Sequence, residues 1–329
     1  MRIVSKGLTY TYNDKTPFAT HALRGVDLTI EEGEFFGIIG HTGSGKSTFI
    51  QHLNGLIPVS GGSLKVGDTN MRFYTRGEYK KITTAGYDDA LLFEKGKKIS
   101  YGKYKKRFRA EMKALRAKVG MVFQYPEYQL FGETVFDDVA FGVKNFFPQY
   151  GKEKTEAAVR EAITRVGLDY NEVKDKSPFD LSGGQKRRVA IAGVIVTKPQ
   201  VLVLDEPVAG LDPQGKKELM GLLHTLHGSS IKTIIIVSHD MDDVAENCSR
   251  AAVFSEGRLV CVAEPKELFK DAYSLEKIGL DVPLTARLTR ALKENGVEIE
   301  TDFKADDFVS VVTEKYKSRL NHAKTDKNA

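Results

Sequence analysis

The residues that most constrain this chain are Gly40-His41-Thr42-Gly43-Ser44-Gly45-Lys46-Ser47. They fit G-x-x-x-x-G-K-[ST] and stand between a short apolar run, Phe35–Ile39, and a helical pattern, Ser47–Leu56. Glycines at these intervals let successive backbone N–H groups turn inward and cradle phosphate oxygens. The following helix adds the partial positive charge of its N-terminus. Lys46 supplies a cation to the β- and γ-phosphates, and the Ser47 hydroxyl stands where it ligates Mg²⁺. A strand–loop–helix unit of this kind belongs in a parallel sheet covered by helices.

The rest of the chain is patterned to match. Met1–Tyr12 and Ala22–Ile30 alternate like strands, and Gly33-Glu34 makes a turn. Thr155–Val166 is an amphipathic helix ended by Gly167. Val201–Leu204 and Thr233–Val237 are wholly apolar, as strands buried on both faces are. Strands alternating with helices predict an α/β fold with a parallel core. Val201–Leu204 ends in Asp205-Glu206. Beside a phosphate loop the first acid holds Mg²⁺, usually through water, and the second polarises the attacking water as general base. Leu181-Ser182-Gly183-Gly184-Gln185 precedes another helical pattern. Alone it reads either as a helix start capped by Ser182 or as a second anion site at a helix N-terminus.

Composition decides what remains. The 329 residues carry 49 Lys+Arg against 44 Asp+Glu, a net charge of +5, with 41% apolar and 28% charged residues. That excludes wholesale disorder, collagen-like repeats and a polytopic membrane protein. No apolar run approaches the ~18 residues that span a bilayer. The N-terminus has no secretory apolar core, and two cysteines, Cys248 and Cys261, are too few for a disulfide framework. Both are expected to be buried thiols in a reducing compartment. The charge is uneven: Arg72–Lys118 holds 15 Lys+Arg and 5 Asp+Glu, a local net of +10, so the remainder carries −5. This stretch also holds Tyr74, Tyr79, Tyr87, Tyr101 and Tyr104. Its first part has little periodicity, and Lys103–Lys118 reads as a helix with Phe108, Met112 and Leu115 on one face. It reads as an insertion on a more regular domain. Three uses are open: a solvated surface excursion, binding of nucleic-acid phosphates with stacked bases, or docking on anionic lipid. After about Lys270 the pattern changes to two helices, Pro283–Asn295 closed by Gly296, and Asp306–Lys317. There is no internal repeat.

Taken together, these motifs resemble the ATP-binding cassette (ABC) ATPases over roughly residues 1–265. Leu181–Gln185 resembles their signature, with Ser182, Gly183, Gly184 and Gln185 facing a partner's ATP. Gln124 stands at the Q-loop glutamine, Ala209-Gly210-Leu211-Asp212 at the D-loop, and Ser238-His239-Asp240 at the switch histidine. Tyr12 is placed like the aromatic that stacks on adenine, although Tyr10 is a near neighbour. The resemblance implies ATP held by Tyr12 and Gly40–Thr48, Mg²⁺ held by Ser47, Gln124 and Asp205, and catalysis by Glu206, His239, Lys46 and Gln124. It also implies a second ABC ATPase, identical or paralogous, packed head to tail. The implied architecture is a parallel-sheet core with an antiparallel β subdomain and a helical subdomain at about 125–180. The cassette would occupy residues 1–268 and a dimerisation-type helical extension 269–329.

A narrower resemblance is to the ATPases of energy-coupling factor importers, most like the second of two paralogues. It rests on Gln51-His52-Leu53-Asn54-Gly55, on Gln124-Tyr125-Pro126-Glu127-Tyr128-Gln129-Leu130-Phe131, on Arg187–Gly193, on Pro207–Gly210 and on Gly279–Pro283. Val208 departs from the group's usual Thr, and the Arg72–Lys118 stretch is longer than the group usually has. The resemblance implies a transmembrane coupling subunit, a membrane substrate-binding subunit for vitamins or other micronutrients, and a peripheral place on the cytoplasmic side of the cell membrane. The alternatives are another ABC importer, such as one for metal ions, or a soluble nucleic-acid-linked ATPase. The coupling groove would lie along Gln124–Val143, which has Glu127, Glu133, Asp137 and Asp138 but no Lys or Arg. Tyr128, Leu130 and Phe131 would be apolar anchors within an acidic rim suited to a basic helix.

Overall fold

The computed structural model describes residues 1–84, 91–94 and 97–325, with side chains as far as residue 317. Tyr87 lies outside the described residues. A six-stranded sheet forms the centre, in the order Arg258–Ala263, Arg250–Ser255, Phe35–Gly40, Thr233–Val237, Val201–Asp205, Val119–Val122. All neighbours are parallel except the antiparallel edge strand Arg258–Ala263. Because successive side chains leave opposite faces of a strand, each inner strand feeds two cores. Leu202, Leu204, Ile234 and Ile236 join the helical side. Val201, Val203, Ile235 and Val237 join the side covered by a four-stranded antiparallel sheet.

On the helical side, Val135–Phe146, Lys152–Arg165 and Gly183–Ile195 pack together. Val135–Phe146 starts where the Thr134 hydroxyl accepts from Asp137 N, and it buries Val135, Val139, Ala140 and Val143, one stripe of a helix. The phosphate-loop helix is shorter than its pattern predicts. It runs Lys46–Leu53, because Asn54 caps it and Gly55 adopts φ 70°, where the ladder cannot continue. The last helix, Ala305–Thr325, is longer than its pattern predicts. Only one of the two thiols is buried. Cys248 is inside, whereas Cys261 is exposed on the edge strand.

The basic stretch departs most from its sequence reading. Its first part contains a helix, Arg76–Thr84, opened by a reciprocal cap in which Glu78 accepts from the Thr75 amide and hydroxyl and Thr75 accepts from Glu78 N. Tyr74, Tyr79, Leu91, Leu92, Ile99, Tyr104, Phe108, Met112 and Leu115 are buried in the same cluster as Phe36, Phe49 and Ile50. Tyr104 is fully enclosed, and its hydroxyl accepts from Tyr74 N at 2.8 Å. Its ring centroid is 5.4 Å from Tyr79 and 5.9 Å from Tyr101. The aromatic residues therefore face inward, and the basic helix Tyr101–Lys118 runs straight into the edge strand Val119–Val122. Over its described residues the segment is part of the core rather than a solvated excursion, and Tyr74, Tyr79 and Tyr104 are not presented for base stacking.

The C-terminal helices and the turns between them bury Phe269, Leu275, Leu280, Val282 and Phe303 in the helical-side core. They are tied to the helix Met241–Asn247. Leu284 N donates to Asp242 Oδ1 at 2.9 Å, and Ala305 N donates to Glu246 Oε1 at 2.5 Å.

Candidate active site

The phosphate loop leaves the strand Phe35–Gly40 at the carboxyl end of the sheet, where open α/β sheets bind ligands. A Cβ at Gly40 would overlap the Phe254 carbonyl and stand 2.5 Å from Ser44 Oγ. A Cβ at Gly45, which has φ 101°, would stand 2.5 Å from the Ala22 carbonyl. Glycine is therefore imposed at both positions. Lys46 Nζ donates to the carbonyls of Gly40 at 2.6 Å and His41 at 3.0 Å. Burial pulls its pKa below the ordinary lysine range, opposed by the nearby Glu206 and Asp205. The Ser44 hydroxyl is buried with no hydrogen-bond partner among the described residues, an open donor at the mouth of the cradle. His41 Nδ1 lies 2.8 Å from its neighbour's carbonyl, on Thr42, and Thr42 and Gly43 form the outer turn.

Burial pushes the Asp205 carboxyl above the ordinary aspartate range, and the neighbouring Ser47 hydroxyl opposes that shift. Tyr12 is exposed, with its hydroxyl 3.3 Å from Thr48 Oγ1 and its ring edge-on to Tyr10 at 4.9 Å. Tyr10 is turned inward against His52. Of the two tyrosines, Tyr12 is the one that offers a face beside the phosphate loop.

Three residues from three strand ends converge next to these. Gln124 Nε2 donates to Glu206 Oε2 at 3.1 Å, and His239 Nδ1 lies 3.3 Å from the same oxygen. Glu206 holds φ 47°, in the left-handed region, while its N–H donates to the Val237 carbonyl at 3.0 Å. A non-glycine residue held there stores strain of about 1–3 kcal/mol, which is characteristic of functional positions. Gln124, Lys46, Asp205, Glu206 and His239 thus come from the ends of neighbouring strands and gather around the Glu206 carboxylate, with Lys46 as the nearby cation.

The signature turn is a full capping box. Ser182 Oγ accepts from Gln185 N at 3.3 Å, and Gln185 Oε1 accepts from Ser182 N at 3.1 Å. A side chain at Gly183 or Gly184 would meet open space. Asp212 caps the helix Pro213–Ser229 through Gly215 N at 2.7 Å. Among the described residues, neither turn hydrogen-bonds the phosphate loop.

The groove expectation needs correction. A cavity of about 270 Å³ is lined by Leu56, Arg116, Leu130, Phe131, Phe141 and Phe146 among others. Leu130 and Phe131 line it, and Tyr128, Glu133 and Asp137 are exposed but do not. Glu127 is no rim acid: Arg187 grips both of its oxygens, at 3.0 and 3.1 Å. Asp138 is turned inward to the amides of Phe131 and Gly132. Two of the four expected rim acids therefore satisfy internal donors, while Glu133 and Asp137 remain exposed.

Sequence reasoning singled out Arg187 only as part of the run Arg187–Gly193 and missed its role: it also donates to the carbonyls of Pro207 and Ala209, so one buried guanidinium joins the Q-loop, the signature helix and the D-loop approach. Sequence reasoning also missed Lys216, which bridges Asp240 at 2.6 Å and Asp243 at 2.9 Å and so ties the helix after Asp212 to the turn after His239. Both are ordinary helical cations in sequence, and only the facing carboxylates reveal them.

Residues 23–209 match the family model described as ABC transporter, so the chain belongs to the ABC transporter family and is an ATP-binding, ATP-hydrolysing transport ATPase. The relatives sharpen this. The energy-coupling factor transporter ATP-binding protein EcfA2 of Clostridium tetani is 44% identical over 91% of each chain, and that of Symbiobacterium thermophilum is 45% identical over 92% of each. Among solved structures, cbiO1 of Clostridium perfringens, part of the ABC transporter complex cbiONQ, is 35% identical and superposes with a TM-score of 0.64 over 88% of this chain and 98% of its own. Dimeric MJ0796, a bacterial ABC transporter cassette, is 25% identical, with a TM-score of 0.60 over 80% of this chain and 98% of its own. Within the ABC family, the chain is a member of the energy-coupling factor transporter ATP-binding proteins.

Proposed function

We propose that this chain pairs head to tail with a second cassette, identical or paralogous, and drives a membrane importer of vitamins or other micronutrients from the cytoplasmic face. The observation that carries the catalytic part is the convergence of Gln124 and His239 on Glu206 Oε2 beside Lys46 and Asp205. Glu206 accepts a proton from the attacking water. Gln124 and His239 hold that carboxylate and the water in line, and Lys46 meets the charge that develops on the transferred phosphate. The open Ser44 hydroxyl and the loop amides bind phosphate oxygens. Tyr12 supplies the adenine platform.

Ser47, Asp205 and Gln124 offer hard oxygen donors beside a phosphate cradle, which fits Mg²⁺ held by few protein groups. When bound, the ion would supply Lewis-acid neutralisation of phosphate charge. Ser182–Gln185 would meet the partner's ATP with a capped helix N-terminus, and Asp212 would lie at the same junction. The dimeric solved relative supports such pairing. Residues 269–329 would add to it, since Leu284, Leu288, Val309 and Tyr316 are left exposed on their outer surfaces.

No helix among the described residues is long and apolar enough to cross a membrane. Coupling to the membrane falls to the groove, where the exposed Phe131 and Phe141 rings meet edge to face at 5.0 Å and offer anchors for a partner helix. The test is affinity purification from detergent-solubilised cells, comparing the native chain with Phe131→Asp. The native chain is expected to bring down a second cassette and small hydrophobic membrane proteins, and the variant to lose the membrane proteins alone. Recovery of no membrane protein with the native chain overturns the importer reading.

A further inference from the structure

The basic helix Tyr101–Lys118 has two unlike faces. Tyr104, Phe108, Met112 and Leu115 point into the core. Lys106, Arg109, Lys113 and Arg116 recur at i, i+3, i+7 and i+10, so they form one stripe on the far side. Ten residues of helix make this a straight row of about 15 Å, held rigid by the buried face. Three other cations near it are engaged: Lys103 with Glu94, Arg72 with Glu78, and Arg107 with the Phe93 carbonyl. Lys106, Arg109 and Lys113 are exposed and make no ion pair among the described residues. Arg116 ends the row by donating to the carbonyls of Asn54 and Gly55, and there it forms part of the wall of the apolar groove.

A row of rigid, uncompensated cations is a surface for phosphates. Single-stranded nucleic acid would require exposed rings for its bases. Here Tyr74, Tyr79 and Tyr104 are buried, so the face offers charge without stacking. The row is continuous with the groove that takes the membrane partner, a placement that rests on the importer reading above. We propose that the Lys106–Arg116 face docks on the anionic phospholipid headgroups of the membrane holding that partner. Each such cation near a charged leaflet strengthens binding, and the attraction fades beyond a Debye length. The row therefore sets how the groove wall stands against the bilayer, and it leaves the phosphate site untouched.

The test uses the purified full chain and two kinds of vesicle, phosphatidylcholine alone and phosphatidylcholine mixed with phosphatidylglycerol, read by flotation. Binding is expected to the mixed vesicles only, and to weaken as salt is raised. The combined variant Lys106→Glu/Arg109→Glu/Lys113→Glu is expected to lose at least about a hundredfold in partitioning. Its melting temperature and ATP hydrolysis are expected to match the native chain, because all three side chains are exposed. Equal binding to both vesicles, no binding, or an unchanged triple variant overturns the proposal. So does a native chain that binds a single-stranded oligonucleotide and ignores vesicles. The assay needs no membrane partner, so failure here leaves the affinity purification standing. Vesicle binding without any co-purifying membrane protein breaks the importer reading alone.

Discussion

The phosphate corner and the basic segment are built by opposite rules. At the corner, backbone shape comes first. Gly40 and Gly45 are forced by carbonyls that leave no room for a Cβ, and Glu206 is held in a left-handed conformation by its own amide. Chemistry is then placed by short spacings along the chain, and those spacings can be read directly. In the basic segment, side-chain partition comes first. The same 47 residues that carry a net charge of +10 also bury three tyrosines, and no local spacing marks which face is which until the helix periodicity is laid out. The lesson is that motifs report imposed backbone geometry, while composition reports an inventory without direction.

The sharpest way to strain this contrast is Glu206→Gln. It keeps the backbone and removes the base, so ATP binding is expected to stay while turnover falls by about 10²–10⁴-fold. Hydrolysis and nucleotide-binding assays on the same preparation check it, and unimpaired turnover would remove Glu206 from its role. Next is Tyr104→Ala. If the segment is core, losing this enclosed ring is expected to cost about 3–5 kcal/mol of stability, read as a drop in urea midpoint. A cost near zero would return the segment to a surface excursion. The smallest effect belongs to Thr75→Ala, about 1 kcal/mol from the lost cap. The Thr75 hydroxyl holds the Glu78 carboxyl below the ordinary glutamate range. A lowered acid stabilises the fold above that range and loses this contribution as pH falls through its folded value. The native chain's advantage over Thr75→Ala is therefore expected to shrink in acid, and thermal melts across pH measure it. A gap that widened in acid would contradict the cap.

Much of the fold was legible because its strands are extreme in pattern. Val201–Asp205 and Thr233–Val237 differ from their expected bounds by at most one residue. The phosphate-loop helix was overextended because Leu56 continues the apolar spacing, while Asn54 and Gly55 end the backbone. Glu127 and Asp138 in Gln124–Val143 misled because charge in a sequence has no partner attached. Glu127 belongs to Arg187, sixty positions away. The roles of Arg187 and Lys216 were invisible for the same reason, since a buried ion pair is a property of two segments and neither half announces it.

The division of the inner strands between two cores carries one more consequence. Val201 and Val203 pack to one side, and Leu202 and Leu204 to the other, with Asp205 and Glu206 next in line. A slip of one residue would exchange the two apolar sets and also carry both carboxylates off Ser47 and Gln124. Packing alignment and chemical alignment are therefore one quantity in this strand. Hydrolytic activity recovered after refolding is in effect a proofreading signal, reporting which chains have set the strand Val201–Asp205 at its correct step.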